Sequence, residues 1–128
     1  MKLLLDTCTF VWLTSAPQLL GEGARTALDD AGNDLYLSYA SYWEIAEKHR
    51  TGQLSLPASP QLWIRDRMKS HGVEEAALEA EVIFLAAELP GDAKNLFKRL
   101  LSAQSIRGGY VLLSPEARPD HPGLRVIW

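Results

Sequence analysis

Short apolar runs alternate with longer segments of helical character along this chain, and that alternation limits the folds open to it. Short, mostly apolar runs occupy residues 2–5, 35–37, 110–113 and 124–127, interrupted only by Lys2 at the start of the first and Arg125 in the last. Strands that are apolar throughout are typical of a parallel sheet covered on both faces. Helical patterns separate these runs, as expected of β–α–β connections. The sequence therefore predicts an α/β fold rather than an all-α or all-β one.

The segments between the runs predict the helices and their ends. We expect helices over residues 9–14, 22–29, 61–69, 80–88 and 94–107, with one more that ends near residue 50. Either Ser38 or Ser41 can cap that helix, and Glu44 stands in capping-box spacing to Ser41. Residues 73–78 fit a helix by composition and a strand by position. The expected fold is a single domain over residues 1–128, a three-layer α/β/α sandwich with a mostly parallel sheet of four or five strands.

Composition excludes several classes of protein. With 128 residues and 47% hydrophobic residues, the chain can bury a core and is not a disordered tail. The longest apolar stretch, residues 82–87, is far shorter than the roughly 20 residues that cross a bilayer. The start reaches Asp6 too soon for a signal peptide, and the lone Cys8 fits a reducing compartment. We expect a cytoplasmic protein with no membrane association.

Charge restricts the mode of any nucleic-acid binding. The formal net charge is −3, so no global basic field attracts RNA. Binding of RNA would need a local basic patch or a second chain. The four tryptophans are interpreted as core or dimer anchors rather than as stacking platforms for bases.

The ends of the predicted strands carry the candidate site. Ligands in parallel α/β folds bind beyond the carboxyl ends of the strands. Asp6, Ser38 and Ser114 all stand at such ends. Carboxylate oxygens are the ligands that hard divalent cations such as Mg²⁺ prefer.

Several short motifs, taken in order, resemble one known family. They are Leu4-Leu5-Asp6-Thr7 followed by Trp12, then Ser41-Tyr42-Trp43-Glu44-Ile45 with Lys48, Gly52, Leu54 and Pro57, then Leu89-Pro90, Phe97, Arg99-Leu100-Leu101, Ala103-Gln104 and Val126-Ile127-Trp128. This series resembles the PIN-domain family, and within it the VapC-type toxins of bacterial toxin–antitoxin modules. The resemblance implies an α/β/α sandwich, a homodimer, a cognate antitoxin and an endoribonuclease activity that depends on Mg²⁺ or Mn²⁺.

The resemblance transfers only part of the family's acidic site. Its first two acids correspond to Asp6 and Glu44, and its last acid corresponds to Glu116. Thr7 and Ser114 take supporting positions beside them. The family also has the pattern Asp-Pro-Phe-Asp-Arg-Leu-Leu. In this sequence Asn95 and Lys98 stand in place of its two aspartates. Asp92 and Glu47 are candidate replacements for the lost acids.

Two kinds of function follow from this mixed site. In the favoured interpretation, Lys98 occupies the place of the cation and bridges Asp6 to its acidic neighbours, so the pocket is stable without metal. The protein is then a pseudoenzyme with impaired or lost nuclease activity. The first alternative is an active Mg²⁺- or Mn²⁺-dependent toxin ribonuclease that uses Asp6, Glu44 and Glu116. The second alternative is a non-catalytic module that binds RNA or an antitoxin.

Overall fold

A computed structural model describes residues 1–90 and 95–128 of the chain. The strands are β1 (Lys2–Leu5), β2 (Asp34–Ser38), β3 (Val73–Ala76), β4 (Val111–Leu113) and β5 (Arg125–Ile127). The helices are α1 (Thr7–Ser15), α2 (Glu22–Asp29), α3 (Tyr39–Arg50), α4 (Pro60–His71), α5 (Ala80–Glu88) and α6 (Leu96–Gly108), and a single 3₁₀ turn covers Pro17–Leu19. None of the described helices is long and apolar enough to cross a membrane.

The strands form one five-stranded sheet in the order β3-β2-β1-β4-β5. Every neighbouring pair is parallel, and β1 pairs with both β2 and β4 at the centre. The predicted α/β sandwich is thus confirmed. The ambiguous segment 73–78 provides the edge strand β3, since Leu35 to Ser38 of β2 supply a partner for each of its residues.

The central strand β1 explains why the sheet needs helices on both faces. Leu3 and Leu5 point to one face, where they pack with Phe10, Ile45 and Trp63 from α1, α3 and α4. Leu4 points to the other face and packs with Leu101 of α6. Both faces are buried, because all three leucines have no exposed surface. The alternating direction of strand side chains therefore produces the three layers.

Of the two serines predicted to cap α3, only one does so. Ser38 is the N-cap, and its hydroxyl accepts a hydrogen bond from the Ala40 amide at 3.1 Å. Ser41 lies inside the first turn and is buried, so the capping-box interpretation of Ser41 and Glu44 is wrong. The end of β2 runs directly into the helix, which makes Ser38 the last extended residue. Glu44 is therefore in the second turn, where it can face the edge of the sheet.

The tryptophans have different environments. Trp63 is buried in the core, whereas Trp43 is 63% exposed. Trp12 packs against Trp128 with ring centroids 5.7 Å apart. This contact holds the end of the described chain against α1 and the start of α2. Three of the four tryptophans thus serve packing inside the chain.

We predict that Gly23→Ala destabilises the protein, although alanine usually favours a helix by about 1 kcal/mol over glycine. A Cβ at Gly23 would lie 2.6 Å from the carbonyl oxygen of Trp128. Overpacking of this kind costs about 1–3 kcal/mol, so the unfolding free energy in urea should fall. The loss should disappear when Trp128 is deleted. A stabilising effect of Gly23→Ala in the full chain would contradict this packing.

Candidate functional site

The predicted site residues meet in one small cavity at the carboxyl ends of β1 and β4. The cavity has a volume of about 130 Å³. Its lining includes the residues that the resemblance placed in the site, but not Ser38, the other predicted strand-end residue; the shared residues are Asp6, Thr7, Glu44, Asn95, Lys98, Ser114 and Glu116. Cys8 and Lys48 line it as well. The structure thus brings the predicted residues together, while the role of each stays a prediction.

Asp6 is fixed by hydrogen bonds to β4 and α1. Its backbone amide donates to the Leu113 carbonyl at 3.1 Å, which extends the β1–β4 pairing by one residue. Its side chain caps α1 by accepting from the Thr9 amide at 2.7 Å. The Thr9 hydroxyl donates in turn to the Leu113 carbonyl at 2.9 Å. The carboxylate therefore has one defined position at the cavity wall.

The environment of Asp6 disfavours its charge. Burial removes water from the carboxylate and raises its pKa, and the negative charge of Glu116 adds a smaller increase in the same direction. Hydrogen-bonding groups of Ser114 and Thr9 offset part of this increase in the pKa. Burial also raises the pKa of the neighbouring Cys8 thiol to about 11, so the thiol is protonated at neutral pH.

Thr7, next to Asp6, has a buried hydroxyl group that makes no hydrogen bond among the described residues. Its residue is 5% exposed, and its hydroxyl oxygen has no hydrogen-bond partner among the described residues. A buried hydroxyl without a partner is energetically unfavourable. This hydroxyl is therefore available to a water or ligand in the cavity.

Glu44 reaches the cavity from α3 but is paired with a lysine of its own helix. The Lys48 ammonium lies 3.4 Å from a Glu44 carboxylate oxygen, one turn further along α3. Pairs at this spacing stabilise a helix by only about 0.3–0.5 kcal/mol. The greater consequence is electrostatic, because Lys48 places a positive charge at the cavity wall. The spacing of Glu44 and Lys48 could have predicted this pair, which the sequence interpretation did not consider.

Lys98 contacts Glu116 and not Asp6. Its ammonium is 4.0 Å from a Glu116 carboxylate oxygen, at the limit of a salt bridge between two partly exposed side chains. Within the described part of the chain, Lys98 makes no salt bridge to Asp6. The expected bridge from Lys98 to Asp6 is therefore wrong. Lys98 lies in the first turn of α6, from which its side chain reaches the loop after β4.

Asn95 and Ser114 act as local caps. The Asn95 side-chain oxygen accepts from the Lys98 amide at 3.0 Å and so caps α6. The Ser114 hydroxyl accepts from the amides of Glu116 and Ala117 at 3.2 Å and 3.0 Å. These bonds set the start of α6 and the path of the loop that carries Glu116. Asn95 is thus committed to the helix end.

Arg99 positions α6 against α5. Its guanidinium donates to the carbonyls of Ala86, Ala87 and Leu89 at 3.0, 3.0 and 2.8 Å. Carbonyls at the end of a helix have no partner within the helix, so Arg99 satisfies the end of α5. The side chain therefore fixes how the first turns of α6, which carry Lys98, lie against α5. This role of Arg99 was not predicted from the sequence, where Arg99 was only part of the motif Arg99-Leu100-Leu101.

The described side chains do not fit a divalent cation. No group of three or more His, Cys, Asp or Glu side chains within residues 1–90 and 95–128 is arranged to hold a metal ion. Glu44 and Glu116 each have a lysine partner instead. Glu47 does not supply a replacement acid in this cavity, because it is not part of the lining and its carboxylate is paired with Arg50. Asp92, the other candidate, lies outside the described residues.

Known structures share this architecture. VapBC2 from Rickettsia felis bound to a DNA fragment from their promoter is similar with a TM-score of 0.70 at 14% identity, over 98% of this chain and 97% of that chain. VapBC-1 from nontypeable Haemophilus influenzae has a TM-score of 0.58 at 13% identity, over 91% and 87%. A toxin–antitoxin complex from Klebsiella pneumoniae has a TM-score of 0.59 at 17% identity, over 94% and 93%.

The comparisons settle the fold class. The parallel five-stranded sheet with helices on both faces matches a PIN-like three-layer sandwich. The chain has the fold of the VapC-type proteins in these complexes, as the sequence resemblance predicted. No family model matches the sequence, and no curated protein matches it either. At such low identity, the likeness concerns the fold.

We predict that Asp6→Asn flattens the pH dependence of stability. The folded-state pKa of Asp6 is raised, so the folded protein holds this proton more tightly than the unfolded chain. Stability is therefore lost as the pH rises above about 4 toward the raised pKa. Asparagine caps a helix about as well as aspartate and does not ionise.

Urea unfolding of both proteins from pH 3.5 to 7 measures this effect. The unfolding free energy of the wild type, relative to Asp6→Asn, should decrease across the range. Asp120→Asn, which removes an exposed carboxylate, serves as the matched control for the loss of one acid. A constant or growing advantage of the wild type would contradict the raised pKa.

Proposed function

We propose that this chain is a VapC-type protein of a toxin–antitoxin module with PIN-ribonuclease ancestry and an impaired metal site. One observation supports the impairment above all: two lysines line the same cavity as the three acids. Lys48 pairs with Glu44, and Lys98 approaches Glu116. The fold and the neighbouring structures support the toxin–antitoxin class.

The lysines oppose metal binding by simple electrostatics. An ammonium about 4 Å from a divalent ion is repelled by roughly 8 kcal/mol at an effective dielectric constant near 20. Millimolar binding of a metal is worth only about 4 kcal/mol. Movement of a flexible lysine toward water would reduce the repulsion, but half of it still equals the whole binding energy. Bound Mg²⁺ would therefore have to displace both lysines from the cavity.

The loss of the family's two aspartates also weakens metal binding. An acid at position 98 would add a ligand, whereas Lys98 adds a positive charge. Asn95 keeps an oxygen, but that oxygen caps α6. Of the three acids that remain, Asp6 has a raised pKa and the other two face lysines. We infer that the cavity is stable without metal and that the family's water-activating chemistry is not assembled here.

The remaining properties follow from the toxin–antitoxin class. We propose a cytoplasmic homodimer that engages a cognate antitoxin, with RNA as a further ligand of the non-catalytic form. Competing with this is an active Mg²⁺- or Mn²⁺-dependent ribonuclease. The convergence of Asp6, Glu44 and Glu116 on one cavity favours that second candidate. Metal binding by the wild-type protein distinguishes the two.

We predict that Asn95→Asp combined with Lys98→Asp raises Mn²⁺ affinity at least tenfold, as measured by isothermal titration. The two substitutions remove a repulsive charge and supply carboxylate ligands. A tenfold change corresponds to about 1.4 kcal/mol, well below the repulsion estimated for one lysine. The wild type should show no RNA cleavage that EDTA abolishes.

The matched control is Gln18→Glu combined with Arg107→Asp, which makes the same change in net charge at residues outside the cavity lining. It should leave Mn²⁺ binding unchanged. Micromolar Mn²⁺ binding and EDTA-sensitive cleavage by the wild type would overturn the impaired site and establish the ribonuclease. Equal gains in the control would show that overall charge, rather than the cavity, controls binding.

A further inference from the structure

A second, larger cavity lies on the other side of α3 from the site. This groove between α3, α4 and the edge strand β3 has a volume of about 580 Å³, in the range typical of binding sites. Tyr42 and Ala46 line it from α3, Ile64 and Met68 from α4, and Val73 from β3. None of these residues lines the cavity that holds Asp6.

The floor of the groove is apolar and its central polar groups are already paired. Ile64, Met68 and Val73 are each less than 10% exposed. The Tyr42 hydroxyl lies 3.3 Å from the Met68 sulfur and 3.4 Å from a Glu75 carboxylate oxygen. Burial, together with the negative charge of Glu75, raises the pKa of Tyr42 to about 12, so the hydroxyl stays neutral. The floor thus suits apolar side chains.

The rim along α4 is basic. Arg65 and Lys69 lie one turn apart on this helix, both are exposed, and both line the groove. Neither forms a salt bridge with a residue in the described ranges. Glu75 on the opposite side is directed to Tyr42. Positive charges beside an apolar floor attract a ligand that combines carboxylates with apolar groups.

The length of the groove indicates a chain segment rather than a small molecule. From Gln61 to Lys69 the lining follows α4 for about 12 Å, at 1.5 Å per residue. An extended peptide covers that distance with about four residues, since each adds roughly 3.3 Å. Such a segment can alternate its side chains between the apolar floor and the basic rim.

We propose that this groove binds an acidic segment of a partner protein that carries one or two large apolar side chains. The chain's own α5 offers similar chemistry, with exposed Ile83 and Phe84 between Glu81 and Glu88. A second copy that docked α5 into the groove would make a head-to-tail contact, which extends into a filament unless the rotation closes a ring. A separate partner needs no such closure. The proposal involves elements other than the acidic cavity and does not depend on the state of the nuclease site.

Two labelled peptides test the proposal by fluorescence anisotropy with the full chain. One is a six-residue peptide in which glutamate alternates with leucine or phenylalanine, and the other has lysine in place of every glutamate. The acidic peptide should bind at least tenfold more tightly than the basic one. Arg65→Glu combined with Lys69→Glu should reverse this preference. Arg25→Glu combined with Arg107→Glu, outside the groove, should preserve it.

A variant that fills the groove tests the proposal a second time, without changing any charge. Ala46→Trp should weaken binding of the acidic peptide at least tenfold, with its thermal unfolding and circular dichroism recorded to confirm the fold. Equal affinity for the two peptides, or no reversal in the charge-swapped variant, would overturn the proposal. So would sedimentation that shows self-association abolished by Arg65→Glu combined with Lys69→Glu, because the occupant would then be a second copy.

Discussion

The pairing of β1 with β4 at the centre of the sheet is the constraint on which the site depends. It continues one residue beyond the strands, where the Asp6 amide donates to the Leu113 carbonyl at 3.1 Å. The Thr9 hydroxyl reaches the same carbonyl and the Thr9 amide holds the Asp6 carboxylate. One carbonyl oxygen of β4 thus ties together the end of β1 and the first turn of α1. The cavity, with its acid in a fixed place, follows from this junction.

Around this fixed acid, the other two carboxylates of the cavity each have a lysine of the same chain as a partner. Glu44 is paired along α3 by Lys48, and Glu116 is approached from α6 by Lys98. Arg99 holds the end of α5 and so determines where α6 presents Lys98. On our proposal, the lysines take over the neutralisation that a dissolved divalent cation would otherwise provide. Here the positive charges are covalent parts of the chain, attached to the helices that form the wall.

Much of the fold could be predicted from the sequence because it depends on local patterns. Apolar runs ending at Asp6 and Ser114 predicted two strands and the edge at which the site lies. Segment 73–78 could not be assigned, since Glu74 and Glu75 disfavour a strand and only pairing with β2 makes it one. The residues that the resemblance assigned to the site do line one cavity, but their roles stay predictions, and Cys8 and Lys48 also line it without having been predicted. Neither ion pair was predicted: the spacing of Glu44 and Lys48 along α3 was a local signal that went unused, whereas the approach of Lys98 to Glu116 depends on how α6 lies against the loop after β4.

Anomalous diffraction from a crystal grown in manganese tests the central claim most directly. The account predicts no manganese peak between Asp6, Glu44 and Glu116, with the Lys98 ammonium remaining near Glu116. A strong peak coordinated by those three carboxylates, with Lys48 and Lys98 turned toward bulk water, would contradict it.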